Sequence, residues 1–372
     1  MFSNFENELY IQEALQHRYI TNDMIVPLLK ALPKNYDVQE MGTSVKGRPI
    51  YSVKVGSGAQ RILVWSQMHG NESTTTKALF DFFKYAKAHP TILHHLTLYI
   101  IPILNPDGAA AYRRTNANEV DLNRDAQNLS QPESLLLRQC FNTFKPHYCF
   151  NMHDQRSIFN VGNMPKPATM AFLAPAADED RSFTHSRKIA MSLIATINAS
   201  LQSFIPQQVA LYDDAFNPNC VGDAFQQAGV PTILFEAGHY PNDYGRDTTR
   251  CFVLHAFVVA LQTIASGAVS PANYLEYQQI PNNNKRFLDV VLRNVEHKGM
   301  VTDIGVQYQE ILKNNQVAFL PEVVKIEVLS HFYGHKDYDA KGAKISKLDG
   351  SPLFVGLKET SVLLNNTQYS LL

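Results

Sequence analysis

The sequence predicts an α/β fold, a sheet covered by helices, followed by a small β-rich C-terminal domain. Three observations carry this. Short β-rich runs alternate with helical periodicities over the first two-thirds of the 372 residues. Leu96–Leu104 is a nearly continuous apolar run, as expected of a strand buried on both faces. After Ser266-Gly267 the texture changes to β-rich segments separated by turn signals.

Each element follows from its own pattern. Ile50–Val55 alternates as a strand, and Gly56-Ser57-Gly58 turns it into a second, Arg61–Ser66. Thr74–Lys87 reads as a helix with Leu79, Phe82, Phe83 and Ala86 on one face. A helix beginning near Pro132-Glu133-Ser134 precedes the strand His147–Met152. Arg181–Ser203 is a long helix, Asp223–Ala228 leads through Gly229 into the strand Pro231–Glu236, and Thr248–Ile264 is a further helix. Beyond it, Ile304–Leu312, Gln316–Leu329 and Leu353–Leu357 are strand-like, with turns at Asn314-Asn315 and Asp349-Gly350. The expected domains are 1–270 and 271–372.

Composition excludes several partners. Lys plus Arg number 33 and Asp plus Glu 34, a net charge of −1, so the basic surplus of a phosphate-gripping nucleic-acid binder is missing. No apolar stretch is long enough to span a bilayer. Four cysteines without a C-x-x-C pair do not make a disulfide scaffold. The acidic start, Met1-Phe2-Ser3-Asn4-Phe5-Glu6-Asn7-Glu8, differs from a secretory signal, which gives the expectation of a cytoplasmic protein. Oligomeric state is not legible.

Phosphate-loop, dinucleotide-loop, G-x-S-x-G and H-E-x-x-H motifs are all missing from the sequence. The polar residues beyond strand ends remain. His69 and Glu72, in Gln67-Met68-His69-Gly70-Asn71-Glu72, are three apart at a helix start and can face one point. Imidazole and carboxylate are both zinc ligands, and a catalytic zinc takes three from the protein. His153 follows a buried strand, and Glu236 closes another, where burial calls for a raised pKa or a cationic partner. Taken singly, each is as readily a hydrogen-bonded core residue. Arg113, Arg114 and Arg124 fall within one twelve-residue stretch. They suit carboxylate capture or oxyanion stabilisation, and a solvated surface equally well.

The order H-x-x-E, Asn105-Pro106-Asp107-Gly108, Arg114-Thr115-Asn116-Ala117, Asp121-Leu122-Asn123-Arg124, strand-end His, strand-end Glu resembles the zinc metallocarboxypeptidase family. Gly42-Thr43-Ser44 and Gly47-Arg48-Pro49-Ile50 are similar to that family's opening segment, and the resemblance covers roughly residues 38–262. It implies a mixed, mostly parallel twisted sheet and one zinc ion held by His69, Glu72 and His153. It further implies Glu236 as general base and Arg114 as the group that polarises the scissile carbonyl. Asn123 and Arg124 match the pair that grips a substrate's terminal carboxylate, and Tyr212 resembles an active-site tyrosine. Arg156 adds a charge that either binds a substrate carboxylate or neutralises Asp154. The implied substrate is a peptide, or an N-acyl amino acid, with a free carboxylate. The alternative function is a zinc-dependent deacylase similar to aspartoacylase or succinylglutamate desuccinylase. Gly47-Arg48-Pro49-Ile50 ahead of His69 favours the peptidase, and retention of Glu236 speaks against a metal-free scaffold.

Three departures from the pattern stand out: Asp125 after Asn123-Arg124, Glu119 where glycine is usual, and the acids Asp213, Asp214 and Asp223. The pair His331 and His335 is expected in a loop, not as a second metal site.

Overall fold

A computed structural model describes residues 6–372; the first five residues of the acidic N-terminal segment lie outside it. The chain divides into two compact units, Met1–Gln155 with Ala168–Asn283, and Arg156–Pro167 with Asn284–Leu372. The expected cut at 270/271 therefore falls thirteen residues early and misses an excursion. After the last long helix the chain still packs on the first unit. Tyr277 is buried and its hydroxyl accepts from the Ala174 N–H at 3.3 Å. Lys188 lies 4.7 Å from the Tyr274 ring, and the Leu211 N–H donates to the Pro281 carbonyl at 2.8 Å.

The first unit has strands β1 (Asp37–Thr43), β2 (Pro49–Val55), β3 (Gln60–Ser66), β4 (Leu96–Ile101) and β5 (Tyr148–Asp154). The excursion carries β6 (Phe159–Val161), and β7 (Met170–Leu173), β8 (Val209–Leu211) and β9 (Thr232–Ala237) complete the first unit's sheet. Its helices are α1 (Asn22–Lys30), α2 (Thr74–Ala88), α3 (Pro106–Ala111), α4 (Pro132–Phe144), α5 (His185–Leu201), α6 (Val221–Gln227), α7 (Thr249–Ala265) and α8 (Tyr274–Tyr277). The sheet order is β1-β2-β4-β3-β5-β9-β7-β8, with β4, β3, β5 and β9 mutually parallel. β2 runs antiparallel to β4, and β7 antiparallel to β9, so the sheet is mixed.

Both faces are covered, as a parallel sheet requires. Period-two alternation sorts β3: Ile62 and Val64 enter the core shared with Leu79, Phe82 and Phe257, while Leu63 and Trp65 face Leu137 and Phe225. Trp65 meets the Phe225 ring edge-on at 5.5 Å. The run Leu96–Leu104 stops as a strand at Ile101, because Pro102 has no N–H to donate. The long helix starts at His185, not Arg181; Arg181 has a positive φ of 53°, and the Thr184 hydroxyl accepts from the Arg187 N–H.

Within the second unit, β10 (Asn283–Lys285) pairs with β6. Strands β11 (Phe287–His297), β12 (Met300–Lys313), β13 (Gln316–Glu327) and β14 (Tyr333–Asp339) form a sheet in the order β13-β12-β11-β14. Short strands β15 (Ile345–Ser346), β16 (Ser361–Leu364) and β17 (Thr367–Ser370) make another. Asn314 and Asn315 both have positive φ, which suits the tight β12–β13 turn. Leu353–Leu357 is not a strand; only the Val323–Leu357 contact and its neighbours tie it to β13. His331 sits in a turn, but His335 lies in β14, stacked at 4.3 Å on Phe287 with its Nε2 2.7 Å from the Ser157 carbonyl. Among the described residues no helix is long and apolar enough to cross a membrane.

Candidate metal centre

Because β3, β5 and β9 are parallel neighbours, their carboxyl ends lie together, where an α/β sheet opens its crevices. β3 leaves the sheet at Ser66, and Gln67 takes a positive φ of 50° to turn the chain into His69-Gly70-Asn71-Glu72. This turn is pressed against the start of α3. A Cβ on Gly70 would lie 1.9 Å from the Gly108 carbonyl carbon, so only glycine allows the approach. Asn105 caps α3 by accepting from the Gly108 N–H at 2.8 Å. Asp107 receives the Lys46 N–H at 2.9 Å and the Arg48 guanidinium at 2.7 Å, which fixes the Gly47-Arg48 segment beside it.

Three buried side chains converge. His69 Nδ1 is 2.9 Å from Glu72 Oε1, His153 Nδ1 is 2.8 Å from Glu72 Oε2, and the two Nδ1 atoms are 3.0 Å apart. They are the one group of three or more His, Cys, Asp or Glu side chains among the described residues whose donor atoms lie within 4.8 Å of one another. Two imidazole lone pairs facing each other at that range repel unless a cation or proton lies between them. His69 Nε2 is 2.9 Å from Asp121 Oδ1, which directs the ring proton to Asp121 and leaves Nδ1 as a donor to metal. His153 Nε2 is buried without a hydrogen-bond partner, so nothing on that side competes for the ring. Two nitrogens and a carboxylate are the donor set of a catalytic zinc with three protein ligands. The residues present fit zinc.

The electrostatics are those of a cation site. Burial raises the Glu72 carboxyl, but His69 and His153 outweigh it and hold the group well below the usual carboxylate range. Asp121 is likewise depressed; burial opposes this, and the contacts with His69 and Arg114 prevail. Arg114 donates to Glu72 Oε1 at 3.3 Å and to Asp121 Oδ2 at 3.1 Å, with about half of its side chain (47%) in solvent.

Glu236 stands in register with His153 across the β5–β9 pair. It is 8% exposed, and its ionisation is pushed far up, first by burial and then by the charges of Glu72 and Asp154. Arg246, buried with φ 59°, donates to the Ala237 carbonyl at 2.8 Å and to the Gln155 carbonyl at 2.9 Å. It clamps the ends of the two strands that carry His153 and Glu236. Asp154, at the end of β5, donates its N–H to Glu72 Oε2 and accepts from the Thr74 N–H and hydroxyl at 3.0 and 2.5 Å.

Asn123 and Arg124 lie in a 3₁₀ turn (Leu122–Arg124) capped by the Asp121 carboxylate, which accepts from the Asn123 N–H at 2.9 Å. Arg124 is exposed. Tyr212 follows β8, its N–H bound to the Phe172 carbonyl at 2.8 Å. Its phenol is raised by burial and then by Glu236 and Glu72, which places it among the same acids. Arg156 is exposed and heads the excursion belonging to the second unit.

The departures have structural explanations. Glu119 adopts φ 61°, the left-handed conformation that makes glycine usual there. Asp125 is buried and accepts from the Ser130 and Gln131 N–H groups, so it shapes the approach to α4. Asp214 is paired with Arg181 and Arg187, and Asp213 closes a local turn on the Ala215 N–H. The sequence reading assigned no role to Asp121, Arg246 or Cys220. Only Asp121 had a signal, its place two residues before Asn123 within the same motif.

Residues 21–193 match the profile of a family described as "Zinc carboxypeptidase". That stretch of the chain is similar to zinc carboxypeptidases. Carboxypeptidase SOL1 of Arabidopsis thaliana is 28% identical over 166 residues, 36% of this chain and 34% of the relative. Carboxypeptidase 2 of Trichophyton rubrum is 28% identical over 102 residues, 26% of this chain and 19% of the relative. The alignments thus span about a third or less of these curated relatives. Among solved structures, a metallo-carboxypeptidase from Burkholderia cenocepacia superposes with a TM-score of 0.51 at 18% identity, covering 66% of this chain and 68% of that one. A metallo-carboxypeptidase from Pseudomonas aeruginosa, in complex with (2-guanidinoethylmercapto)succinic acid, gives 0.50 at 17% identity, covering 67% and 68%. The likeness to solved structures is one of fold.

Proposed function

We propose that this protein is a zinc metallocarboxypeptidase that removes C-terminal residues from short peptides. The observation that carries this reading is the opposition of a buried acid, Glu236, to a three-ligand metal cluster at the ends of adjacent parallel strands. A pure metal store has no use for a buried carboxyl beside its ligands. The family match supports a peptidase, and no observation favours a deacylase.

His69, Glu72 and His153 would hold the ion. Bound there, zinc polarises a carbonyl and makes water acidic enough to attack at neutral pH. Glu236 takes the proton released by the attacking water and passes it to the leaving amine nitrogen. Arg114, anchored on Glu72 and Asp121, presents its half-exposed guanidinium to the scissile carbonyl oxygen as charge develops there. Asn123 and Arg124 hold the terminal carboxylate, so that the last peptide bond is presented for attack. Tyr212, beyond the end of β8, would contact the substrate.

The test is a mass-spectrometric screen of mixed peptides and N-acyl amino acids with zinc-loaded protein. Loss of single C-terminal residues from peptides is the expected result. Release of acyl groups with peptides untouched, or no metal-dependent cleavage, rejects the reading.

A further inference from the structure

Outside the metal cluster, the seam between residues 123–127 and 217–221 is held by a run of hydrogen bonds. The Ala126 N–H donates to the Asn219 carbonyl at 3.2 Å, and the Gln127 N–H to Asn219 Oδ1 at 3.2 Å. Gln127 Nε2 donates to the Pro218 carbonyl at 2.9 Å, and the Val221 N–H to Asn123 Oδ1 at 3.0 Å. Arg124 joins the seam through Nη1, which donates to Cys220 Sγ at 2.9 Å and to the Asn123 carbonyl at 2.7 Å. Asp223, a buried carboxyl in the first turn of α6 three residues on, adds its charge to the surroundings of Cys220. The guanidinium therefore contacts the thiol, and no ion pair joins it to the Asp223 carboxyl.

The order has a chemical consequence. The thiol sulfur accepts from the guanidinium without carrying a charge of its own. A carboxylate placed directly on Arg124 would occupy its fork and cancel its charge. The thiol keeps the acid one group away, so Arg124 is oriented while its charge stays available to an incoming anion. Burial pushes the Cys220 thiol up to about 12, so the spacer stays neutral over the working range of the protein. The remaining contact of Nη1, with the Asn123 carbonyl, lies within its own turn. The sulfur contact is the one that ties the guanidinium to a different element.

The geometry points to Cys220 as a positioning residue for capture of the substrate's C-terminal carboxylate, holding Arg124 in place without neutralising it. This rests on the carboxypeptidase reading. It adds that the contact between α6's first turn and Arg124 sets affinity for the terminal carboxylate and leaves the chemical step alone.

The experiment uses the full-length zinc-loaded protein and two probes, benzoyl-Gly-Phe and benzoyl-Gly-Arg, with kinetics followed on whichever the native protein cleaves faster. Cys220→Ala is expected to raise KM on the order of tenfold, the loss of one charge-assisted hydrogen bond, with kcat within about twofold. Cys220→Ser, which keeps a donor and an acceptor, should bring KM back towards the native value. Cys220→Asp, which puts a carboxylate against Arg124, should raise KM more than Cys220→Ala does. Thermal melting checks that each variant is folded. If Cys220→Ala does not fold, the contrast between Cys220→Ser and Cys220→Asp carries the test. Native-like KM in folded Cys220→Ala and Cys220→Asp, or a fall in kcat at constant KM, overturns the inference while leaving the carboxypeptidase reading intact. Native protein that cleaves neither probe nor any free-ended peptide overturns that reading, and this inference with it.

Discussion

His153 and Glu236 occupy paired positions on the parallel strands β5 and β9, so an imidazole of the metal cluster and a buried carboxyl leave the sheet at the same level. Neighbouring strands are about 4.8 Å apart, which brings the two side chains within reach of one substrate atom. Arg246 fixes this relation from behind by binding a carbonyl just beyond each of them.

Glu236→Gln keeps the shape and removes the proton acceptor. Peptide hydrolysis should fall by about 10²- to 10⁴-fold in kcat, with the zinc content unchanged. Parallel metal analysis and kinetics check this; native activity with zinc retained would show that the base lies elsewhere.

The metal cluster predicts a graded series. His69→Ala and His153→Ala should each lose stoichiometric zinc. Asp121→Asn keeps all three ligands but weakens the partner of the His69 ring N–H, and should lower zinc affinity by about 10- to 100-fold. Competition against a chromophoric chelator reads the affinity; equal affinities in native and Asp121→Asn protein would refute the role given to Asp121.

Peptides with free and amidated C-termini should separate by at least about tenfold in kcat/KM with the native protein, because only the free carboxylate pairs with Arg124. In Arg124→Ala the two should become similar. Equal rates in the native protein would reject the Asn123–Arg124 grip.

His255 predicts acid sensitivity unconnected with the site. It is buried between α5 and α7, 2.7 Å from the Ser200 hydroxyl, and burial lowers its pKa to about 4. In the unfolded chain the value is about 6.5, so between these pH values the unfolded state binds more protons than the folded one. Stability therefore falls as pH drops from about 6.5 towards about 4, by up to about 3 kcal/mol. His255→Gln should flatten this part of the profile. Urea unfolding near pH ~7 and near pH ~4.5 gives the comparison, and identical slopes would remove His255 as the cause.

Asp81 and Arg250 form a buried pair, with Arg250 Nε donating to Asp81 Oδ2 at 2.7 Å and the Gln12 N–H to Asp81 Oδ1 at 2.6 Å. Asp81→Ala strands a buried guanidinium and should destabilise by about 3–5 kcal/mol. A denaturant midpoint close to the native value would contradict the pairing.

Local chemistry along the chain accounts for the elements that neighbouring residues control. Apolar runs placed β3, β5 and β9, and the polar residues just beyond them marked His69, Glu72, His153 and Glu236. The resemblance of the short motifs to those of zinc metallocarboxypeptidases marked Arg114, Asn123 and Arg124 as well, since each motif is confined to a short segment whose turns and caps are its own. What depends on distant segments meeting was decided by tertiary structure alone. Asp121 reaches His69 across 52 residues, and Cys220 reaches Arg124 across 96. Arg246 joins two strand ends that no periodicity pairs, and the packing of Tyr277 on Ala174 moved the boundary between the units to residue 283. Backbone hydrogen bonding and burial write a periodic signature into the chain. A single long-range side-chain contact does not, because its partner is chosen by the fold and leaves no pattern in its own neighbourhood.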